Sequence, residues 1–372
     1  MAGKKIIEEI IDKALSLSTY DVGETIKGLA SKLGKDPTEI LKLNSNENFF
    51  IPLHLLREVL RCVIEETDPR IYPRDEYKEL KKAISELIDA PEECIVIGAG
   101  SDQLIELISR IFLRDGDEAL SIEPTFSIYE RCVRSQGAAY KSIPLRDDFS
   151  LNVNSMLSAV TSRTKIIFLC SPNNPTANQL KREDILHLTE EFEGLVAIDE
   201  TYADFSGTTL IDAAKDLDNL IIFRTFSKTF GLAGLRVGYF VANRRLARTI
   251  DKRFQMPYPV SAIALRVAIK MLEKWGEITD TINAVRSERR RLIASLNNII
   301  GVRTFPSETN FVLFQANENS LAIYESLLRR GIIIRNIGKV LKFDNCLRVT
   351  VAPRDMMERF IGELRDVMYK GA

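Results

Sequence analysis

The spacing of the hydrophobic residues changes at about residue 93. Before that point, apolar side chains recur every three or four positions over residues 53–66 and 76–89, which predicts two amphipathic helices. The turn Tyr72-Pro73-Arg74 separates them. Residues 1–45 are more polar and predict one or two helices and a connector. After residue 93 the apolar residues instead form short continuous runs.

These short runs predict the strands of one sheet, with helical stretches between them. Strands that are apolar on both faces are typical of a mainly parallel sheet covered by helices on both sides. The predicted strands are Cys94–Gly98, Ala119–Ile122, Ala139–Ile143, Lys165–Cys170, Gly194–Ile198, Leu220–Phe223 and Val237–Ala242. The predicted helices between them include Asp102–Phe112, Phe126–Ser135 and Arg182–Phe192.

The C-terminal third of the chain predicts a second, smaller α+β domain. A long helical segment over roughly 261–299 precedes a mixture of short strands and helices. We expect residues 46–260 to form the large domain, and residues 1–45 and 261–372 to form the small one, with the long helix joining them. The predicted elements are strands Arg303–Thr304, Asn310–Phe314, Ile332–Arg335 and Cys346–Val351, and helices 319–330 and 354–369.

The amino-acid composition and the net charge indicate which classes of binding partner to expect. The 372 residues are enough for two domains, and 51 basic against 52 acidic side chains leave a net charge of −1. The chain therefore has no overall charge to attract a nucleic acid. No apolar run reaches the roughly 20 residues that span a bilayer, and the N-terminus lacks the apolar core of a signal peptide. We expect no nucleic-acid and no membrane partner.

The cysteines and histidines indicate neither disulfides nor a metal site. The five cysteines are widely spaced and form no CxxC pair, so we expect buried free thiols in the reducing cytoplasm. His54 and His187 are the only histidines, and they are too far apart to predict a histidine-based metal centre.

The loops that follow the predicted strands form the candidate site, because ligands of an open α/β sheet bind at the carboxyl ends of its strands. One of them, Ala99–Gln103, is a glycine-rich turn that opens a helix. Such a turn presents free backbone N–H groups and the positive end of the helix dipole to an anion. It lacks the third glycine of a dinucleotide-binding motif, and alone it is a weak signal.

Lys228 lies in the middle of an apolar, hydroxyl-rich and glycine-rich loop, Arg224–Gly238. Loss of hydration lowers the pKa of a lysine, and a neutral amine attacks a carbonyl to form a Schiff base. Arg236, Thr225 and Ser227 in the same loop offer a phosphate site. A solvated loop lysine is the ordinary alternative.

Two further loops contribute an acid and amides. Asp199 directly follows an apolar strand, where a carboxylate needs a partner, although an ordinary helix N-cap fits equally well. The segment Ser171–Thr176 holds two asparagines between prolines, which is either a rigid amide donor or a simple turn. Together the loops offer a phosphate cradle, an imine-forming lysine, an acid and an amide. Pyridoxal 5′-phosphate is the cofactor that needs all four.

The motifs resemble, in order and over nearly the whole chain, those of the fold-type I aminotransferases that depend on pyridoxal phosphate. Within this group they resemble the histidinol-phosphate aminotransferases. The resemblance implies a large domain with a mainly parallel seven-stranded sheet and a smaller α+β domain. The matching segments are Leu43–Asn48, Tyr72-Pro73, Gly98–Asp102, Glu123–Phe126, Ser171–Thr176, Asp199–Tyr202, Arg224–Gly238, Ser307–Phe311 and Cys346–Val351.

The resemblance also implies how the cofactor is held. Lys228 binds its aldehyde and later moves a proton, and Asp199 pairs with the pyridinium nitrogen. Tyr202, with Asn174, hydrogen-bonds its phenolic oxygen. Tyr72 reaches the cofactor phosphate of the neighbouring subunit, which makes the enzyme a homodimer. The implied catalytic residues are Lys228, Asp199 and Tyr202, and the other cofactor contacts are Gly100, Ser101, Asp102, Phe126, Asn174, Thr225, Ser227, Arg236 and Tyr72.

The implied substrate contacts are Tyr20, Asn48, Asn174, Arg335 and Arg348. Arg348 matches the arginine that binds the α-carboxylate with a bidentate pair, whereas Tyr20 and Arg335 match positions at the side-chain end of the substrate. The implied reaction transfers the amino group of histidinol phosphate to 2-oxoglutarate, in histidine biosynthesis.

Other functions on the same scaffold stay open. They are an aromatic or other amino acid aminotransferase, a phosphothreonine decarboxylase-like lyase, and the aminotransferase-like sensor domain of a transcription regulator. About 45 residues precede Asn46, which leaves little room for a DNA-binding domain.

Two positions depart from the family pattern. Ala177 replaces a glycine, so a positive φ there would be strained. Glu24 stands where a basic residue is common, and it would repel a substrate phosphate if it faced the site.

Overall fold

The apolar runs after residue 93 form one sheet of seven strands. The computed structural model describes residues 2–15, 17, 19 and 23–370. Numbered along the chain, the strands are β1 (Leu41–Lys42), β2 (Ile95–Gly98), β3 (Glu118–Glu123), β4 (Ala139–Pro144), β5 (Thr164–Cys170), β6 (Leu195–Asp199), β7 (Leu220–Thr225), β8 (Gly238–Val241), β9 (Val302–Thr304), β10 (Phe311–Ala316), β11 (Ile332–Ile333), β12 (Arg335–Val340) and β13 (Phe343–Thr350).

The strand order of the large sheet is β2-β8-β7-β6-β5-β3-β4. Four neighbouring pairs are parallel, and only β8 runs antiparallel, against both β2 and β7. The loops after β2, β3, β5, β6 and β7 therefore leave the sheet at the same edge. The mainly parallel α/β fold is confirmed, and the candidate loops meet.

Helices cover both faces of this sheet. On β5, Ile166 and Phe168 enter one core cluster with helix residues of 100–112 and 128–135, whereas Ile167 and Leu169 enter the opposite cluster. Burial on both faces explains why the strand is a continuous apolar run. The helices are α1 (Ala2–Leu15), α2 (Ile26–Leu33), α3 (Leu53–Glu66), α4 (Arg74–Ile88), α5 (Gly100–Phe112), α6 (Ile128–Ser135), α7 (Val153–Ser158), α8 (Arg182–Glu191), α9 (Ala203–Ser206), α10 (Ile211–Ala214), α11 (Arg244–Arg253), α12 (Ala262–Glu273), α13 (Trp275–Asn297), α14 (Ser320–Arg329) and α15 (Arg354–Lys370).

The C-terminal part builds a four-stranded antiparallel sheet in the order β12-β13-β10-β9. The predicted strand Ile332–Arg335 is wrong in one respect, because the backbone changes partner at Ile334. Its first part, β11, pairs in parallel with β1, and its second part, β12, joins β13. An apolar run gives no sign of a change of partner. Since the two larger sheets share no strand, we propose the division into residues 46–260 and residues 1–45 with 261–372.

The single long helix predicted over 261–299 is also wrong, because the structure has two helices, α12 and α13, that meet at Lys274 (φ −97°, ψ 24°). Trp275 follows the break, and its ring packs 5.7 Å from that of Phe230. Gly276, a poor helix former, lies next to it. Within the described part of the chain, none of the helices is both long and apolar enough to cross a bilayer.

Candidate active site

Lys228 lies in the loop after β7 and is partly buried. Its Nζ donates a 2.8 Å hydrogen bond to the backbone carbonyl of Ser45. Burial lowers the pKa of Lys228 to about 8, although the carboxylate of Glu47 opposes the shift. An amine with such a pKa exchanges a proton readily near neutrality, unlike a solvated surface lysine.

Asp199 ends β6, and both of its carboxylate oxygens accept hydrogen bonds. Oδ1 accepts from the backbone N–H and the hydroxyl of Thr201 at 3.0 and 2.6 Å. Oδ2 accepts from the hydroxyl of Tyr129 at 2.9 Å. Burial raises the pKa of Asp199, and these donors oppose the rise. The N-cap of the next helix, α9, is Tyr202, so Asp199 is not its cap.

A cluster of hydrogen-bond donors lies where α5 begins. Gly100 has φ 83°, and a Cβ there would lie 2.6 Å from Nη2 of Arg236. Only glycine leaves room for that guanidinium. Arg236 donates to Asp102 Oδ2 at 2.9 Å and to Ser227 Oγ at 3.4 Å, while Thr225 donates to the same Oγ at 3.0 Å. The arrangement combines helix N–H groups, hydroxyls and a guanidinium, which suits a phosphate.

The four-stranded sheet β12-β13-β10-β9 supplies the wall of the site that lies opposite the loops of the seven-stranded sheet. Arg335 on β12 and Arg348 on β13 are directly opposite each other in the antiparallel register. Arg348 is buried and donates to Asn174 Oδ1 and to the carbonyl of Asn44 at 2.8 Å. It also lies over the ring of Phe311, 5.1 Å from the centroid. Like charges directly opposite each other destabilise a sheet, so this pair favours an anion between them.

Tyr202 and Asn46 meet near Asn174. Asn46 has φ 56° and donates from Nδ2 to the hydroxyl of Tyr202 at 2.9 Å. Burial raises the pKa of Tyr202 well above its ordinary value, so its hydroxyl stays protonated. The segment before Asn46 also supplies the Ser45 carbonyl that holds Lys228.

A cavity of about 600 Å³ brings these groups together. Of the predicted site residues, it is lined by Ser101, Asp102, Phe126, Asn174, Asp199, Tyr202, Thr225, Ser227, Lys228, Arg236, Arg335 and Arg348. Gly100 is not among the residues that line the cavity, but its lack of a side chain lets Arg236 approach the start of α5 closely. Tyr20 lies outside the described residues.

Asn48 and Tyr72 lie elsewhere. The side chain of Asn48 donates to the carbonyl of Thr229 at 3.0 Å and accepts from the backbone of Phe50, so it braces the loop of Lys228 instead of facing the cavity. Tyr72 is 74% exposed and stacks on Tyr258 at 4.7 Å between ring centroids. In a single subunit, Tyr72 therefore does not line the cavity.

Sequence reasoning missed several residues that line the cavity or hold its side chains. The Ser45 carbonyl belongs to the backbone, and no side-chain pattern indicates it. Tyr129 does not line the cavity but bonds Asp199, and it stands three positions after Phe126, a spacing that signals a shared face of the predicted helix. Thr201 follows the acid by two positions, the usual distance for a hydroxyl that bonds a carboxylate locally.

The two departures from the family pattern have different outcomes. Ala177 has φ 64° and is fully buried, so it keeps the conformation of a glycine under strain. Glu24 pairs with Lys32 on α2 at 2.5 Å, and it is absent from the described residues that line the cavity. Lys32 therefore offsets the charge that would repel a phosphate.

Comparisons with known proteins show what this chain is similar to. The family model "Aminotransferase class I and II" matches residues 38–364. A histidinol-phosphate aminotransferase of Methanosarcina mazei is 37% identical over 358 residues, 95% of this chain and 95% of the relative. One from Thermoanaerobacter sp. (strain X514) is 33% identical over 351 residues, 93% of this chain and 98% of the relative. The crystal structure of the Sinorhizobium meliloti enzyme with pyridoxal-5′-phosphate has a TM-score of 0.86 at 24% identity and covers 97% of both chains.

Proposed function

Because the chain belongs to the class I and II aminotransferases, which depend on pyridoxal 5′-phosphate, we propose that it transfers the amino group of histidinol phosphate to 2-oxoglutarate. The products are imidazole acetol phosphate and glutamate, and the pathway is histidine biosynthesis. The names of the two curated relatives support the donor. The observation that carries the proposal is the opposed pair Arg335 and Arg348 on the wall facing Lys228.

The residues present fit the cofactor. Arg236, Ser227, Thr225 and the start of α5 converge on one point and would hold its phosphate. The buried carboxylate of Asp199 would face the pyridine nitrogen and keep it protonated. When bound, pyridoxal phosphate supplies an aldehyde for amines and an electron sink for a carbanion.

The remaining contacts fix the plane of the ring. Asn174 and Tyr202 are placed to hydrogen-bond the phenolic oxygen, and Phe126 lines the cavity where a ring would stack. Phe126 is itself held edge-on by Tyr129, with 5.7 Å between centroids. These side chains orient the site before substrate arrives, which reduces the entropic cost of reaching the reactive geometry.

Lys228 moves the proton. Because its pKa is about 8, the neutral amine can accept a proton from the α-carbon of the amino donor. The ammonium that results can give the proton back later in the reaction. The Ser45 carbonyl would orient Nζ whenever the amine is not bound to the cofactor.

Two fixed guanidinium groups serve two different substrates. Glutamate has two carboxylates, whereas histidinol phosphate has one phosphate and no carboxylate. A guanidinium pairs bidentately with either anion, so Arg348 binds the α-carboxylate of glutamate and Arg335 binds the distal anion of both.

We also propose a homodimer in which Tyr72 reaches the neighbouring active site. In one subunit Tyr72 is exposed beside other exposed apolar side chains, Ile71, Met256 and Tyr258, which is typical of a surface that another chain covers. We place the enzyme in the cytoplasm, since its five cysteines are free.

A spectroscopic half-reaction screen tests the function. Purified holoenzyme is mixed with histidinol phosphate, phenylalanine, tyrosine, glutamate or phosphothreonine, and conversion to the pyridoxamine form is followed. We expect histidinol phosphate and glutamate to convert the cofactor fastest. A preference for phenylalanine or tyrosine would replace the proposed donor, and release of carbon dioxide from phosphothreonine without conversion by glutamate would indicate a lyase. Borohydride reduction should leave the cofactor attached to Lys228.

A further inference from the structure

Lys339 brings a further cation to the wall that carries Arg335. It lies on β12, four residues beyond Arg335, and Arg335, Ile337 and Lys339 occupy alternate positions of the strand. All three line the cavity that contains Lys228. Two register shifts, around Gly338, interrupt the pairing of β12 with β13 at this point.

The ammonium of Lys339 has no carboxylate partner among residues 2–15, 17, 19 and 23–370. The next lysine of the same hairpin differs. Lys342 pairs with Asp147 at 2.6 Å and lies over the ring of Phe343. Of these two neighbouring lysines, one is neutralised outside the cavity and the other faces into it.

The charges that line the cavity are unbalanced. In the described chain its cations are Lys228, Arg236, Arg335, Lys339 and Arg348, and its carboxylates are Asp102 and Asp199. Asp102 pairs with Arg236 beside the phosphate cradle, and Asp199 is buried at the other end. Arg348 is directed by Asn174 and Asn44. Lys339 therefore adds a further cation, beside Arg335, to the wall that the distal end of the substrate would face.

Two cations suit a phosphate better than a carboxylate. A phosphate monoester carries about −1.5 to −2 charges at neutral pH, whereas a carboxylate carries a single one. Arg335 alone can balance the carboxylate of glutamate, but it leaves a phosphate dianion with an unbalanced charge.

We propose that Lys339 is a specificity-determining residue, whose ammonium pairs with the second negative charge of the donor phosphate while Arg335 pairs with the first. The proposal rests on the proposed function, since it assigns the recognition of a phosphorylated donor to a second residue of the same site. Lys339 discriminates between phosphorylated and unphosphorylated donors, and it contributes little to the binding of glutamate.

Comparison of histidinol phosphate with histidinol, which lacks the phosphate, isolates this contact. The variant is Lys339→Met, which keeps the length of the side chain without its charge. Lys342→Met is the matched control on the same hairpin, and Lys339→Arg tests rescue by another cation. The measurement is kcat/KM of the holoenzyme for each donor, together with KM for glutamate.

Because Lys339 is exposed, we expect the ratio of kcat/KM for histidinol phosphate over histidinol to fall only about fivefold in Lys339→Met. Added salt should shrink the difference. Lys342→Met should keep the wild-type ratio, Lys339→Arg should restore most of it, and KM for glutamate should stay within about twofold. An unchanged ratio, or an equal loss for both donors, overturns the proposal.

A second probe separates this proposal from the proposed function. If wild-type enzyme does not favour histidinol phosphate over histidinol, the proposed function fails. Inhibition of the glutamate half-reaction by inorganic phosphate then decides the role of Lys339. We expect the inhibition constant to rise in Lys339→Met and not in Lys342→Met, and equal constants overturn the role of Lys339.

Discussion

The hydroxyl of Tyr129 donates a 2.9 Å hydrogen bond to Oδ2 of Asp199, deep in the large domain. The tyrosine is fully buried, and its ring stacks on that of Phe168 with 5.3 Å between centroids and 3° between planes. A rigid donor thus fixes one carboxylate oxygen while Thr201 fixes the other. The direction of the carboxylate is set before any ligand binds.

Tyr129→Phe should keep the stack and remove the donor. A hydrogen bond to a charged group contributes about 1.5 kcal/mol, so kcat/KM should fall about tenfold. Because a donor stabilises the ionised form of Asp199, its loss raises the pKa of that carboxyl, and the acid limb of the pH profile should move to higher pH. Tyr140→Phe on β4, outside the cavity, is the control. An unmoved acid limb would show that the hydroxyl only fills space.

Asp199→Ala should lose most activity. A preorganised electrostatic contact of this kind contributes about 2.7–4 kcal/mol to transition-state stabilisation, by analogy with a single oxyanion-hole donor. Asp199→Asn keeps the shape and removes the charge, and it should be impaired to a similar degree. Steady-state kinetics with excess cofactor measure both. Near-normal rates in either variant would contradict a role for the charge.

When the cofactor is removed, the charge of Lys228 should lower the free energy of unfolding, and the size of this effect should depend on pH. Its folded-state pKa is about 8, below the ordinary 10.5 of the unfolded chain. Below pH 8 both states hold the proton, and the folded apoenzyme carries the full cost of a buried charge. Between pH 8 and 10.5 the unfolded state binds more protons, so stability rises with pH.

The comparison is apoenzyme against Lys228→Met, unfolded by urea on either side of pH 8. The variant should be the more stable protein at lower pH, and its advantage should shrink as pH rises through this range. A constant difference would mean that the amine is solvated.

The arginine pair should separate the two substrates. Arg348→Ala leaves the α-carboxylate of glutamate without its buried partner, so KM for glutamate should rise at least about thirtyfold, with much less effect on histidinol phosphate. Arg335→Ala should weaken both half-reactions about tenfold, because each substrate has a distal anion. Arg303→Ala, on β9 of the same sheet and outside the cavity, is the control. An equal rise in KM for glutamate and for histidinol phosphate in Arg348→Ala would contradict the assignment of Arg348 to the α-carboxylate.

Mixed dimers test where Tyr72 acts. A subunit with Lys228→Ala is combined with a subunit with Tyr72→Ala, and the hybrid is isolated by different affinity tags. If Tyr72 acts in the neighbouring site, one site per hybrid is intact and about half of the wild-type activity remains. If Tyr72 acts within its own subunit, both sites are damaged and the hybrid is nearly inactive.

The sequence indicated which side chains come together where polar residues follow an apolar strand. Lys228, Asp199 and Asn174 all lie in loops at the carboxyl ends of apolar strands, and parallel pairing brings such loops together. The orientation of Glu24 was not predictable, because its pairing with Lys32 depends on how α2 packs. Lys339 escaped notice for a similar reason, since the register shifts around Gly338 appear only in the paired hairpin.

Backbone contacts were beyond prediction for a different reason. The carbonyls of Asn44 and Ser45 hold Arg348 and Lys228, yet every residue has a carbonyl and only tertiary packing selects these two. The break at Lys274 likewise reflects the packing of Trp275 on Phe230 more than local propensity.

The hydrogen bond from the backbone of Asn46 to the hydroxyl of Thr350 joins positions 304 residues apart. During synthesis, Asn46 therefore leaves the ribosome long before Thr350 has been translated. The backbone N–H of Asn46 must wait for this partner while the sheet of the large domain folds, and the pocket closes only after β13 has emerged. Capture of the vitamin B6 cofactor is for this reason a late step in the maturation of each subunit, and a nascent or C-terminally truncated chain has no complete site to offer it.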